Sequence, residues 1–232
     1  MAKTFTKIGK EITIAVKQGG PDVVGNSRLR ALMAEARSEN MPKDNVEKAI
    51  KRALEKNQGD FKEVVFEGYG PHGIAYLVET ATDNNTRTVA NVRSYFTKCG
   101  GSLGTSGSVS FMFDHKCVFR IKYQEGMDLD ELQLALCECD DDPEVFIEEQ
   151  EDKDENITKN VVIYGAYESY GAIQKYIEDN GYELVSGGFE RIPNVELKDV
   201  TPEQRETLDK LTGLLEDDDD VTNVYSTLKP EE

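Results

Sequence analysis

The sequence predicts an α+β protein: a three-helix N-terminal domain followed by two ferredoxin-like α+β domains, the last inserted into the middle one. Three observations carry the prediction. The hydrophobic period changes from that of a helix to that of a strand at Phe61. Residues 118–189 then read strand, helix, strand, strand, helix, strand, the ferredoxin-like order. Residues 73–113 and 191–228 each supply strand, helix and strand with no partner sheet of their own, so each completes the other. The expected domains are 1–60, then 61–115 with 190–232, and 116–189 as the insertion.

On a helix over residues 3–17, at ~100° per residue, Lys7, Lys10 and Lys17 fall within about 40° of Lys3. Phe5, Ile8, Ile12, Ala15 and Val16 take the opposite side. Gly19, Gly20 and Pro21 stop this helix, glycine by tolerating a left-handed cap and proline by being unable to continue the ladder. Asn26 or Ser27 caps a second helix carrying Leu29, Leu32, Met33 and Ala36 at helical spacing, with Arg28, Arg30 and Arg37 around them, and Asn40 ends it. Pro42 suits the first turn of a third helix. There Val46, Ala49, Ile50, Ala53 and Leu54 face the core, while Lys43, Lys48, Lys51, Arg52 and Lys56 face water or a partner.

Gly70-Pro71-His72-Gly73 joins two β-rich runs into a hairpin. Val89, Val92 and Phe96 mark a helix closing at Gly100-Gly101, and Ser108–Phe113 reads as a strand. Strands are expected near Val118–Lys122, Glu144–Glu148, Val161–Tyr164 and Tyr182–Phe189, and helices near Leu129–Cys137 and Ser169–Asn180. Arg191–Leu197, Pro202–Glu216 and Val221–Leu228 give a last strand, helix and strand.

The net charge of −18 argues at first against a nucleic-acid binder, but the charge is segregated. Residues 1–60 hold 12 basic against 8 acidic residues, leaving 15 against 37 for residues 61–232. No apolar run approaches the ~20 residues of a membrane span, and the first residues do not form a secretory signal. Cys99, Cys117, Cys137 and Cys139 show no disulfide framework, so reduced thiols in the cytoplasm are the simplest reading.

Positive residues on three successive helices ahead of acidic domains point to phosphate contacts. The candidates are Lys3, Lys7, Lys10, Lys17, Arg28, Arg30, Arg37, Lys43, Asn45, Lys48, Lys51 and Arg52. The bland reading of each is a solvated helix face. Docking on an anionic membrane is disfavoured, because the apolar sides of these helices are needed to pack the bundle. Asn84 and Arg87, at a strand-to-helix junction, either cap the helix or grip a phosphate, and capping is favoured. The glycine-rich run Gly100–Ser108 is not a phosphate loop, because it leaves a helix, enters a strand and contains no lysine. His72, His115 and the cysteines lack zinc-ligand spacing, and the acidic runs Glu148–Glu155 and Asp217–Asp220 lack calcium-loop order and read as solvated turns. No nucleophile or paired-carboxylate signature emerges, so an enzyme, a metal centre, a cofactor and a small-molecule substrate are all unexpected.

Several stretches resemble the YebC/PmpR family. They are Phe5-Thr6-Lys7 running to Glu11-Ile12, Arg28-Leu29-Arg30, Asn40-Met41-Pro42-Lys43-Asp44-Asn45, Glu67-Gly68-Tyr69-Gly70-Pro71, Thr82-Asp83-Asn84, Arg87-Thr88-Val89 and Gly107-Ser108-Val109. The resemblance implies three domains with the third inserted in the second, a cytosolic or mitochondrial location, and a regulatory role. That role is either transcription control through DNA binding, or action at the ribosome, beside rRNA, to ease synthesis of difficult stretches such as consecutive prolines. Family members carry a further basic leader with a Ser-Lys-Trp segment before the Phe-Thr-Lys motif, whereas this chain starts almost at that motif. The expectation is a gene start placed too late or a shorter subgroup. The expected function is thus a non-enzymatic nucleic-acid-binding regulator of gene expression. A protein-binding adaptor with merely solvated basic helices is the rival reading.

Overall fold

The computed structural model describes residues 2–55, 60–151 and 157–231, and Lys56, expected on a partner-facing surface, lies outside them. Its helices are α1 (Ala2–Gly19), α2 (Ser27–Ser38), α3 (Lys43–Leu54), α4 (Asn85–Lys98), α5 (Leu129–Leu136), α6 (Tyr170–Asp179) and α7 (Pro202–Glu216). Its strands are β1 (Lys62–Tyr69), β2 (Ala75–Thr82), β3 (Ser102–Leu103), β4 (Phe113–Lys122), β5 (Glu144–Glu151), β6 (Ile157–Ala166), β7 (Leu184–Pro193) and β8 (Val221–Ser226). By contact the chain forms two units. The first comprises Met1–Ile14, Glu55–Asp114 and Arg191–Glu232, and the second Ala15–Leu54 and His115–Glu190. The N-terminal helices are therefore shared out, with the first fourteen residues in the first unit and α2 and α3 in the second.

In the first unit the sheet order is β3-β1-β2-β8, with antiparallel pairing throughout. The β1–β2 hairpin turns through Pro71–Gly73, where His72 and Gly73 take φ of 62° and 74°. Gly70 is required by close approach, because a Cβ there would sit 2.8 Å from Tyr76 Cε2 and against Leu208 and Leu211. Phe66, Tyr76 and Val78 from the sheet pack with Val92 and Phe96 of α4 and Leu208, Leu211 and Leu215 of α7. Ala75 and Leu77 face the other way, toward Val109 and Phe113. Thr201 and Gln204 form a reciprocal capping box ahead of Pro202, which starts α7 where the sequence places it.

In the second unit the order β5-β6-β4-β7 is the ferredoxin-like arrangement, as the element order predicts. Cys117, Phe119, Ile121, Val161 and Ile163 pack with Leu132 and Leu136 of α5 and Ile173 and Ile177 of α6. Helix α2 joins this core through Ala31. Gly187 allows the approach, since a Cβ there would fall 2.8 Å from Phe119 Cδ1 and 3.1 Å from the Ala31 Cβ. Buried Asn26 ties the α1–α2 corner: its amide donates to the carbonyls of Ala15 and Gly20, and its oxygen accepts the Leu29 N–H as the α2 cap.

Three expectations change. Ser108–Phe113 is not a strand but a 3-10 turn, Ser110–Met112, leading into the long strand β4. The buried carboxylate of Glu67 takes the N–H groups of Gly107, Val109 and Ser110 at 2.7–2.8 Å, curling the segment and leaving those donors no ladder to join. Arg191–Leu197 is not a separate strand. Instead β7 continues to Pro193, the Asn194 N–H turns to Met112 O, and only the bridge Lys198↔Leu228 follows. The two-residue strand β3, inside the glycine-rich run read as a loop, pairs with β1 at Gly68 and Tyr69.

Candidate nucleic-acid interface

Each unit holds its own share of the sequence-predicted cations. In the first unit α1 presents Lys3, Lys7 and Lys10 on one face, as the periodicity predicts, but that face is occupied within the protein by the acidic turn between α7 and β8. Lys3 Nζ lies 2.5 Å from Asp217 Oδ1, and Lys7 Nζ donates to Glu216 O at 3.4 Å. Lys10 Nζ donates to Asp220 Oδ1 at 2.8 Å, Asp219 O at 2.7 Å and Ala81 O at 3.2 Å, and sits 5.3 Å from the Phe61 ring centroid. Carboxylates and carbonyls that are close in space though remote in sequence thus lie against all three lysines. Burial pushes the Lys7 ammonium below its ordinary pKa, against the raising effect of Glu216.

Asp220 is the hub of this region. It is 4% exposed and accepts from Lys10, from Arg87 Nη2 at 2.6 Å and from Thr88 Oγ1 at 2.9 Å. Burial alone would raise its carboxyl pKa, yet the hydrogen bonds from Lys10, Arg87 and Thr88 outweigh burial and hold it at about 2. Asn84 and Arg87 are accounted for in the same place. Asn84 Oδ1 accepts the Arg87 N–H as the α4 cap, while the Arg87 side chain bridges Asp83 and Asp220.

Sequence reasoning missed Asp220, reading its run as a solvated turn, although its place directly before the apolar Val221 was the available signal. It also missed Glu67, which strand alternation sets on the face opposite Phe66 and which is buried there by the 107–110 segment, forty residues further on. Burial raises the Glu67 carboxyl pKa, but the backbone donors of Gly107, Val109 and Ser110 bring it below its ordinary value.

In the second unit Arg30 is also structural. Its guanidinium grips both Glu178 oxygens, at 2.8 and 3.2 Å, and donates to the carbonyls of Val23 and Val24. Arg28 donates to Gln18 Oε1 at 3.1 Å. Lys17 is exposed, Asn45 half-buried in the first turn of α3, and Arg52 half-buried. Arg37, Lys43, Lys48 and Lys51 are exposed, and none pairs with an acidic side chain among the described residues. On α3, Lys43, Lys51 and Lys48 span an arc of about 140°, opposite the side that carries Val46, Ala49, Ile50 and Ala53.

Among the described residues no group of three or more His, Cys, Asp or Glu side chains could hold a metal ion, and no helix is long and apolar enough to cross a membrane. His115 instead packs its ring 4.4 Å from that of Tyr167.

Two family models match the chain: "TACO1/YebC protein N-terminal domain" over residues 1–56 and "TACO1/YebC second and third domain" over residues 61–228. The chain belongs to the TACO1/YebC family. A family relative from Parabacteroides distasonis, named "Probable transcriptional regulatory protein", is 58% identical over 232 residues, 100% of this chain and 91% of its own length. A relative of the same name from Bacteroides thetaiotaomicron is 56% identical over the same span. The crystal structure of a conserved hypothetical protein, Aq1575, from Aquifex aeolicus superposes with a TM-score of 0.80 at 32% identity, covering 100% of this chain and 91% of that one. The TACO1/YebC N-terminal match contains every cationic candidate except Arg87.

Proposed function

We propose that this protein is a non-enzymatic, cytoplasmic regulator of gene expression that binds nucleic acid through the cationic surface of α2 and α3. Arg37, Lys43, Lys48 and Lys51 contact the phosphate backbone, and Lys17, Arg28, Asn45 and Arg52 on the same stretch of chain support them. The observation that carries this reading is the contrast between the two sets of cations. Lys3, Lys10, Arg30 and Arg87 pair with carboxylates of the fold, whereas Arg37, Lys43, Lys48 and Lys51 stand exposed without acidic partners among the described residues. The naming of close relatives as transcriptional regulatory proteins supports the class of function. The acidic bulk disfavours free duplex DNA, whose phosphates repel a body of this charge beyond the contact face. A ribosome, with basic proteins beside rRNA, is the more compatible target.

Four phosphate contacts give a slope of log affinity against log salt near −3.6 on duplex DNA, or about −2.8 on single strands. The Lys48→Glu/Lys51→Glu variant tests the surface without touching α1, whose Lys10 is tied to buried Asp220. The expected result is a loss of at least tenfold in affinity with a shallower salt slope. Unchanged binding leaves these cations as solvated surface and favours the adaptor. Sedimentation with ribosomes against a gel shift on promoter DNA, at matched salt, separates the two targets.

A further inference from the structure

We infer that the acidic turn Glu216–Asp220 is a built-in competitor for the lysine face of α1, and that this face is a second phosphate-binding surface uncovered when a nucleic-acid backbone displaces Asp217. The inference rests on the nucleic-acid reading above and adds to it a masked site and its mask.

The turn makes two kinds of contact with α1, and they differ in how readily an external anion can replace them. At Lys10 the contact is an anchor: the Lys10 and Asp220 side chains are 11% and 6% exposed. Asp220 is also held by Arg87 and Thr88. At Lys3 the contact is a cover: the Lys3 and Asp217 side chains are 55% and 75% exposed, and the two meet in a pair open to water. Such an exposed pair is screened by salt and exchanges readily for another anion, whereas a buried, multiply bonded pair does not. Lys7 donates to the Glu216 carbonyl, and among the described residues no carboxylate is bonded to its ammonium.

The rest of the turn stays in place during such an exchange. The Asp218 carboxylate accepts from Asn91 Nδ2, from the Tyr95 hydroxyl and from the Asp220 N–H, which fixes the turn to α4 independently of α1. The Asp219 carboxylate is exposed and makes no side-chain bond among the described residues, so it adds negative potential beside the lysines without anchoring the turn. Releasing Asp217 therefore frees Lys3 and removes the Asp217 charge from beside Lys7, without unfolding the Asp220 hub. From Lys3 to Lys10 the helix rises about 10 Å, a length that covers on the order of three nucleotides at ~3.4 Å rise per strand.

The test uses the full chain and two fluorescent probes, a 30-nucleotide single-stranded RNA and a DNA duplex of equal length. Asp217→Asn/Asp219→Asn is compared with Glu203→Gln/Glu206→Gln, which changes net charge equally on the exposed side of α7. The mask predicts that the first variant binds about tenfold more tightly than the second. Its salt slope should also steepen by roughly one to two phosphate contacts. Adding Lys3→Gln to the first variant should cancel the gain. Equal tightening in both double variants would reduce the effect to net charge and overturn the inference. Wild-type binding that depends on Lys48 and Lys51 yet ignores the turn would overturn the mask alone. Absence of binding in every variant would overturn the nucleic-acid reading with it.

Discussion

Replacing Asp220 by asparagine isolates the charge at the centre of a buried network in the first unit. The substitution keeps the shape and the acceptor oxygen for Thr88 but removes the charge facing Lys10 and Arg87. Removing one partner of a buried ion pair typically costs about 3–5 kcal/mol, because the other charge is left uncompensated. Lys10 retains two carbonyl acceptors, Ala81 and Asp219, so the expected loss is smaller, about 2–3 kcal/mol. For a chain of this length that corresponds to a melting temperature lower by roughly 5–10 °C. The chain contains no tryptophan, so far-UV circular dichroism is the natural probe.

The pH dependence sharpens the test. The folded carboxyl titrates at about 2, below its ordinary 3.8, so its charged form is favoured by folding. A depressed carboxyl contributes fully above the unfolded value and loses that contribution as pH falls through the folded one. The stability gap between wild type and Asp220→Asn should therefore be constant above about pH 5 and shrink toward zero as pH approaches 2, where protonated aspartate resembles asparagine. A gap under ~0.5 kcal/mol at neutral pH, or one that does not change on acidification, would refute the reasoning.

Three further outcomes are expected. Glu67→Gln replaces a carboxylate that accepts three backbone N–H groups by an amide whose own donors oppose them, so stability should fall by about 2 kcal/mol, and amide exchange at Gly107, Val109 and Ser110 should accelerate while β2 stays protected. Arg120 joins Glu148 and Glu190, the latter also bonded by the Tyr164 hydroxyl, so Arg120→Met leaves two half-buried carboxylates facing each other and should destabilise the second unit by about 2–4 kcal/mol, whereas Lys159→Met, on an exposed pair, should be silent in thermal melts. Burial, with Asp140 nearby, pushes the Cys117 thiol up to about 12, so a thiol reagent at pH 8 should label exposed Cys137 first and reach Cys99 and Cys117 only on unfolding; comparable rates at Cys117 and Cys137 would contradict the burial.

Much of the fold was legible because local chemistry wrote it. Gly70-Pro71-His72-Gly73 turns the first hairpin, Asn26 and Asn84 cap the helices they precede, and Pro202 opens α7, each a choice made within a few residues. The 108–113 segment was misread because its own pattern favours a strand, while the carboxylate that curls it comes from Glu67, forty residues earlier. The carboxylates that stand against the α1 lysines were not legible for the same reason. Periodicity gives the direction of a side chain from its own helix and says nothing of what stands opposite.

The sequence by itself determined the element order, the segregation of charge between the opening sixty residues and the remainder, and membership of a family, since all three are properties of residues in succession. Only the tertiary structure decided which cations are available. Lys3 and Lys10 meet Asp217 and Asp220 more than two hundred residues away, and Arg30 meets Glu178, while Lys48 and Lys51 meet no carboxylate among the described residues. Coulomb attraction depends on distance through space, and folding rather than chain position sets that distance.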